Sequence, residues 1–343
     1  MALLVAASWP PLSSNAWGRD FTIAMWGGEN QQYRIDAYVR PYFEKQGLPF
    51  LQDVYRGGWG KFQAMKDTGV VPWDVVQVES SELVRGCEEG VFLELDWSRI
   101  ADKSLFVPNG ARRCGVGMSV WSLALSYNTE LASDAPSELE AFWNLDKWPG
   151  RRAMRQGPKT NLEFALLADG VSPEDVYDVL STPAGVDRAF AMLDRIKPHL
   201  QLWTAGAQAV ELVTSGEVVM GFGYSGRIGQ GKLAGRPIDF IWDHAIYDID
   251  SFVILSASRH IDTAYGLLKH YTEFQDHAEL SNAIVHGPAL VRAVEALDPE
   301  TLAMLPAGSN LDNALFLGSD RSIMFWLDNL ETLTERWNAW LNR

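Results

Sequence analysis

The hexapeptide GFGYSG at residues 221–226 has the glycine spacing of a dinucleotide-binding turn. An apolar run at 218–220 predicts a strand before it, and Asp243 stands near the distance at which an acid holds a ribose. In such a turn the glycines let a pyrophosphate approach the N-terminus of the next helix. The motif therefore makes an NAD(P)-dependent oxidoreductase one candidate function.

Three observations oppose a dinucleotide site. The segment that follows, RIGQGKLAG, contains Gly229, Gly231 and Gly235, and each interior glycine costs a helix about 0.5–1 kcal/mol relative to alanine. The motif lies in the second half of the chain, and no nearby His or Cys is suited to hydride chemistry. We therefore favour a backbone bend that approaches a different ligand.

Other patterns that carry chemistry are absent from the sequence. There is no G-x-S-x-G nucleophile elbow and no G-x-x-x-x-G-K-[ST] phosphate loop, and the six histidines are scattered. The two cysteines, Cys87 and Cys114, lack the spacing of zinc ligands, so they either pair in an exported chain or stay free thiols. We predict no catalytic residue, no metal and no cofactor.

Length and charge limit the classes of partner. The chain has 343 residues, of which 47% are hydrophobic, which is enough for two globular domains. Its formal charge is -15, from 29 Lys and Arg against 44 Asp and Glu, and no basic run occurs. Because phosphate binding needs clustered positive charge, we exclude nucleic acid as a partner. The fourteen tryptophans suit both cores and boxes for small organic ligands.

Residues 1–18, MALLVAASWPPLSSNAWG, are not typical of the start of a fold. A short apolar run, two prolines and then small residues resemble an export signal, although the positive residues expected at its start are missing. The alternative is an ordinary flexible N-terminus. The sequence contains no run of about 18 apolar residues, so it predicts no membrane span.

Strands and helices alternate along the chain, which predicts a parallel sheet covered by helices. We expect strands at 21–26, 52–55, 73–78, 116–127, 218–223, 238–242 and 251–255. We expect a terminal amphipathic helix at 323–340. Ligands of such sheets bind at the carboxyl ends of the strands, so Trp26, Gly27, Glu79 and Ser80 are candidates for one crevice. No linker divides the chain, so we expect it to cross between domains on strands.

A series of segments, in this order and spacing, carries a family resemblance. They are IAMWGG at 23–28, WDVVQVESSELVRGCEEGVFLELDW at 73–97, CGVGMSVWSLALSYNT at 114–129, FWNLDKWPGRRAMRQGPKTNLEFALLADGV at 142–171, GEVVMGFGYSGR at 216–227, YDIDSFVI at 247–254 and HGPALVRA at 286–293. The sequence resembles the extracytoplasmic solute-binding proteins of ABC transporters, specifically the spermidine/putrescine-binding group of type II periplasmic binding proteins.

The resemblance implies an α/β fold with two lobes, mixed sheets with helices on both faces, and a hinge between the lobes. We place lobe I at 19–122 and 251–320, lobe II at 123–250, and a C-terminal amphipathic helix at 321–343. A protein of this family is not an enzyme. The resemblance further implies a periplasmic monomer that captures a small amine-containing solute, polyamine-like or zwitterionic, and passes it to the membrane permease subunits of an importer. Export also implies that Cys87 and Cys114 form a disulfide.

The family surrounds an alkyl amine with aromatic faces and places acids at its charged ends. Trp26, Tyr224 and Asp250 match such positions, and turns expected at the cleft add further candidates. The expected ligand-binding residues are Trp26, Gly27, Glu79, Ser80, Lys159, Thr160, Trp203, Gln208, Tyr224, Arg227, Tyr247 and Asp250.

The sequence also departs from the polyamine pattern. Arg227 stands where putrescine binders can carry Asp, and Gln156, Lys159 and Thr160 stand where acids are expected. A cation facing a polyamine would repel it, whereas a planar guanidinium suits a carboxylate. We therefore predict a ligand with both an ammonium and an acidic group, amino-acid-like or opine-like, with simple polyamines as the alternative. Arg227 as a solvated turn residue and Asp250 as a turn or cap acid are the other interpretations.

Overall fold

The computed structural model describes residues 19–55, 57–132 and 134–343, and the signal-like segment lies outside them. The strands are β1 (Phe21–Met25), β2 (Phe50–Val54), β3 (Val75–Val78), β4 (Val116–Asn128), β5 (Arg152–Arg155), β6 (Leu200–Trp203), β7 (Met220–Tyr224), β8 (Ile238–Ile254), β9 (Gly287–Pro288) and β10 (Leu315–Phe316). They form one mixed sheet in the order β2-β1-β3-β8-β4-β7-β5-β6, with β9 beside β4 and β10 beside β8.

Helices connect these strands. They are α1 (Gly28–Arg34), α2 (Arg40–Gln46), α3 (Gly60–Thr68), α4 (Ser80–Glu88), α5 (Asn161–Ala168), α6 (Val176–Leu180), α7 (Pro183–Asp194), α8 (Gly206–Thr214), α9 (Ser225–Leu233), α10 (Ile261–Glu273), α11 (His277–Ile284), α12 (Val291–Glu295), α13 (Pro299–Met304) and α14 (Asp320–Leu341). A π-helical turn at Ile35–Val39 joins α1 to α2. Within the described residues, no helix is both long and apolar enough to span a membrane.

Strands β4 and β8 run through the whole sheet side by side. The start of β4 pairs with the end of β8, and the end of β4 pairs with the start of β8. In the middle the ladder is irregular, because Leu123 pairs with Ile246 whereas Leu125 pairs with Ile241. A register shift of this kind bends a strand locally. The crossing between lobes therefore occurs on this pair of strands, as the sequence predicts.

Lobe I is the body that contains β1 and β3. Alternate residues of β1 belong to different cores, since Phe21, Ile23 and Met25 pack in one cluster and Ala24 in another. The sheet is thus buried on both faces, which explains why its central strands are short and apolar throughout. The edge strand β2 is mostly exposed, so its pattern is less apolar.

Lobe II contains β5 to β7 and has its own core. Phe164 of α5 stacks on Phe222 of β7 with ring centroids 3.8 Å apart. The C-terminal helix α14 joins this core through Trp326, Trp337 and Trp340. The apolar stripe predicted for that helix therefore packs on lobe II only in part, because Leu327 and Leu330 of the same stripe are exposed. The residue boundaries that we expect for the two lobes remain a prediction.

Two sequence expectations need correction. The segments 238–242 and 251–255 belong to one strand, β8, because the polar residues between them, Asp248 and Asp250, are buried with hydrogen-bond donors. The glycine-rich segment after the GFGYSG motif is a helix, α9. A Cβ at Gly226 would lie 2.6 Å from the carbonyl oxygen of Val285, so the glycine allows α9 to pack closely there.

A disulfide joins Cys87 in α4 to Cys114, just before β4. The two Cα atoms are 5.7 Å apart, and Cys114 is 2% exposed. The predicted pairing is confirmed, and the alternative of two free thiols is wrong. The bond links the helix that starts at the end of β3 to the first of the two crossing strands.

Candidate ligand-binding cleft

A cleft of about 670 Å³ opens where the two lobes face each other. Trp26 and Glu79, directly after β1 and β3, line its lobe I wall, while Tyr224 and Arg227, at the β7–α9 junction, line the lobe II wall. Asp250 of the crossing strand β8 also lines the cavity. The carboxyl ends of parallel strands thus meet at this cleft, as expected for a sheet of this class.

Asp250 is a buried acid of the cleft that accepts three hydrogen bonds from side chains. Its Oδ2 accepts from Trp26 Nε1 at 2.8 Å and from Gln77 Nε2 at 2.6 Å, and its Oδ1 accepts from Trp121 Nε1 at 3.1 Å. Burial raises the pKa of Asp250 to about 6, while the bonds from Gln77 and Trp26 oppose that rise. The result is an ionised carboxylate between two indole rings at neutral pH.

Glu79 is the second acid of this wall. Val78 pairs with Ser251 in the antiparallel ladder, which sets Glu79 beside Asp250. Burial, together with the neighbouring carboxylates of Asp250 and Glu82, raises the pKa of Glu79 to about 8, against a lowering effect of Lys159. Unlike Asp250, Glu79 therefore carries a proton at neutral pH in the unliganded cleft.

The lobe II wall supplies an aromatic face and a cation. Tyr224 ends β7 and meets Trp121 edge-on, with ring centroids 5.7 Å apart. Arg227 lies one turn into α9 and is exposed to the open cleft. An aromatic box open at one side, with an acid at one end and a guanidinium across from it, is suited to a small molecule with opposite charges.

Most of the cleft lining was missed from the sequence, and three of these residues matter most for its chemistry. Trp121 donates to Asp250 from the middle of β4, and Arg34 and His286 line the cavity from α1 and from the segment before β9. Trp121 and His286 occur in the segments CGVGMSVWSLALSYNT and HGPALVRA, which was the available signal. Arg34 had none, because it is one of several polar residues on a helix.

Six of the twelve predicted residues line this cavity together: Trp26, Gly27, Glu79, Tyr224, Arg227 and Asp250. Gly27 has φ 84°, a conformation that favours glycine, and turns the chain from β1 into α1. Its amide donates to Gln31 Oε1 at 2.8 Å. That these residues bind ligand remains a prediction.

The other six do not line the cavity. The Ser80 hydroxyl donates to Asp248 Oδ1 at 2.5 Å, and the indole of Trp203, 1% exposed, donates to the carbonyl of Phe222 at 3.0 Å. Gln208 Oε1 accepts from the amides of Thr204 and Ala205 at the start of α8.

Tyr247 packs against Phe316, with ring centroids 5.1 Å apart. Thr160 is 2% exposed and has φ 73° just before α5. Lys159 precedes it, and its charge opposes the rise that burial causes in the pKa of Glu79 and of Glu163. The positions of the strand ends therefore predicted which edge of the sheet forms the cleft. They did not predict the direction in which each side chain points.

Neighbouring residues occupy the space beside the glycines of the GFGYSG motif. A Cβ at Gly221 would meet Ala153 at 2.8 Å, and one at Gly223 would meet Ala209 at 3.3 Å. Asp243, the acid expected at a ribose, instead accepts from the amide of Leu139 at 2.8 Å. Close packing of β7 and α9 accounts for the motif without a dinucleotide.

Two lobes on a shared pair of crossing strands, with a charged aromatic cleft between them, define a substrate-binding protein. The chain belongs to the family of bacterial extracellular solute-binding proteins, whose profile matches residues 50–307. The protein is accordingly a solute-binding component of an ABC transporter and not an enzyme, and the oxidoreductase alternative has no support.

Named relatives show the same assignment over nearly the whole chain. A gamma-aminobutyric acid (GABA)-binding protein of Pseudomonas aeruginosa is 38% identical, over 96% of this chain and 93% of the relative. A solved GABA receptor is 28% identical with a TM-score of 0.81, over 94% and 98% of the two chains. An ABC transporter substrate-binding protein from Bradyrhizobium japonicum is 31% identical with a TM-score of 0.81, over 93% and 98%. None of these three is named for a polyamine, so the spermidine/putrescine specificity is not confirmed.

Proposed function

We propose that the protein captures a zwitterionic amino acid of the GABA type in the periplasm and delivers it to the membrane permease of an ABC importer. The observation that carries this proposal is that one aromatic cleft is lined both by Asp250, which is bonded to Trp26 and Gln77, and by Arg227 of α9. A linear amino acid whose ammonium and carboxylate lie at opposite ends matches that arrangement of charge. The names of two relatives, a GABA-binding protein and a GABA receptor, support the same ligand.

The ammonium of such a ligand lies against Asp250. The acid stays ionised there because two indoles and an amide donate to it, and the rings of Trp26 and Trp121 line the cleft beside it. Aromatic faces attract cations through the negative potential above the ring, most strongly where water is excluded. The ammonium thus gains both an ion pair and cation–π contacts.

The carboxylate of the ligand lies toward Arg227. A guanidinium binds a carboxylate through two parallel hydrogen bonds, which fixes the direction of the ligand as well as its affinity. A polyamine would place a second ammonium at this cation, and the repulsion would be strong in a cleft that excludes water. Simple polyamines are therefore the weaker alternative.

Calorimetry of the wild type and the Arg227→Ala variant against GABA, putrescine and spermidine tests the proposal. We expect GABA to bind the wild type tightly and the variant about 2–5 kcal/mol more weakly, because the variant loses the charged hydrogen bonds of this guanidinium to the ligand carboxylate. Lys232→Ala is the matched control, since Lys232 is also on α9 but pairs with Asp239 outside the cleft. Tight polyamine binding that is indifferent to Arg227 would contradict the proposal.

A further inference from the structure

Arg34 is a buried cation at the edge of the cleft. Its side chain lines the cavity from the last turn of α1 and is 3% exposed. Among the described residues, no carboxylate oxygen lies within the 4.0 Å of an ion pair from its guanidinium nitrogens. Its partners are neutral: Nη1 donates to the carbonyl of Asn30 at 3.1 Å, and Nη2 lies 3.4 Å from His286 Nδ1.

A buried charge without a counterion is costly, because the loss of hydration is not repaid by a nearby opposite charge. Burial lowers the pKa of Arg34, whereas the more distant Asp250 and the phenols of Tyr38 and Tyr271 raise it. An arginine stays protonated even so, since its ordinary pKa is far above neutrality. The unliganded cleft therefore contains a guanidinium whose missing partner is an anion.

The contact with Arg34 sets the tautomer of His286. A guanidinium can only donate hydrogen bonds, so Nδ1 must accept and the proton of the neutral ring is on Nε2. Burial, with Arg34 and Arg227 nearby, lowers the pKa of His286 to about 3, so the ring stays neutral. A Cβ built at Gly226 would lie 3.4 Å from Nε2, which places this N–H donor at the lobe II side of the cavity.

From this arrangement we propose that Arg34 and the Nε2–H group of His286 form a second binding site for the ligand carboxylate. The inference rests on the zwitterionic ligand proposed above and deepens it. Neither donor belongs to α9, the helix that carries Arg227. The pair can therefore hold the carboxylate before Arg227 reaches it. Arg227, which is exposed in the open cleft, then adds its bonds as the lobes close.

The test compares GABA with the amide of GABA, which has nearly the same shape and lacks the negative charge. The measured quantity is the ratio of the two dissociation constants in each variant. We expect the wild type to prefer GABA strongly and Arg34→Gln to reduce that preference at least tenfold. His286→Phe, which removes only the neutral donor, should reduce it by a smaller factor.

Arg40→Gln is the matched control, because Arg40 begins α2 in the same continuous helix and pairs with the exposed Asp36. It should leave the ratio unchanged. Arg34→Lys, which keeps the charge but loses the planar fork, should restore part of the preference. It also replaces Arg34→Gln in the comparison if the latter does not fold, as judged by circular dichroism.

The outcomes separate the inference from the function on which it rests. Arg34→Gln and His286→Phe variants that bind both ligands more weakly by one common factor would show a structural role and overturn the inference. If the wild type binds GABA tightly and the variants keep its ratio of dissociation constants, the proposed function still holds. A wild type that does not distinguish GABA from its amide would overturn both.

Discussion

Two carboxyl groups that lie side by side in the cleft have different charges because their donors differ. Three nitrogen donors reach Asp250, whereas Glu79 faces the carboxylates of Asp250, Glu82 and Asp248, opposed by the cation of Lys159. The pKa of Asp250 is about 6 and that of Glu79 about 8. At neutral pH the unliganded cleft thus contains one carboxylate and one carboxylic acid.

This difference predicts a pH dependence of binding. A ligand ammonium favours the ionised form of Glu79, so binding releases its proton, and GABA affinity should rise by up to about tenfold per pH unit between pH 6 and 8. Calorimetry in buffers of different ionisation enthalpy measures the released proton directly. The Glu79→Gln variant should show neither the release nor the slope, and the same slope in that variant would contradict the assignment.

The same proton acts on stability with a definite sign. The pKa of Glu79 rises from its ordinary 4.5 to about 8 on folding, so between these values the folded protein binds more protons than the unfolded chain. Its free energy of unfolding therefore falls as pH rises from about 4.5 to 8. Denaturant unfolding of unliganded wild type and Glu79→Gln checks this, since the variant should lose stability less steeply over that range.

At the level of elements, the β7–α9 junction places Tyr224 and Arg227 at the cleft. The helix forms in spite of three glycines because they let it approach its neighbours. A Cβ at Gly229 would meet Val285 at 2.9 Å, and one at Gly231 would meet Val210 at 3.3 Å. The glycine cost in helix propensity is offset by close packing.

Gly226→Ala tests this account of α9. The added Cβ would lie 2.6 Å from the carbonyl oxygen of Val285, so we expect the free energy of unfolding to fall by about 1–3 kcal/mol. Ligand affinity should fall as well, because α9 must shift and carries Arg227 with it. Gly60→Ala is the control, since a Cβ at the start of α3 meets open space. Equal stabilities of the two variants, from denaturant titration, would argue against tight packing.

The disulfide is a second feature at the level of elements, because it links α4 to the start of β4. Replacing Cys87 and Cys114 by Ser should lower the free energy of unfolding by roughly 3–4 kcal/mol through the entropy of the opened loop. GABA affinity should hardly change, because neither cysteine lines the cleft. Thermal unfolding and calorimetry of the double variant check both statements. Two thiols titrated in the unreduced, unfolded wild type would show that the bond is absent.

Over the whole molecule, β4 and β8 provide the route by which one lobe can move against the other. Their ladder changes register between Leu123 and Leu125, beside the cleft residues Trp121 and Ser122. Hinges absorb their rotation in a few residues of this kind. A ligand that contacts both walls binds the closed form better and so favours closure.

Closure predicts a smaller radius of gyration in small-angle scattering when GABA is added. Tryptophan fluorescence should change with it, through Trp26 and Trp121, and the change should be smaller in a Trp121→Phe variant. Trp203 is a poor reporter because it is buried in the core of lobe II. An unchanged radius at saturating ligand, with a clear calorimetric signal, would argue against closure.

Much of the fold and half of the expected site followed from local pattern. Short apolar runs predicted β1, β3 and β4, because a strand buried on both faces needs apolar residues throughout. The resemblance of a few segments then pointed to Trp26, Tyr224 and Asp250, all of which line the cleft. These features depend on residues that are close together along the chain.

What required the folded chain was the environment of each side chain. Arg34 meets His286 across 252 positions, and Trp121 meets Asp250 across 129. Trp203 and Gln208 stand at ends of elements as expected, yet one is in the core and the other caps α8. Local pattern governs which element forms, whereas burial and hydrogen-bond partners arise from distant segments packed together, and these set the charge and direction of every group in the cleft.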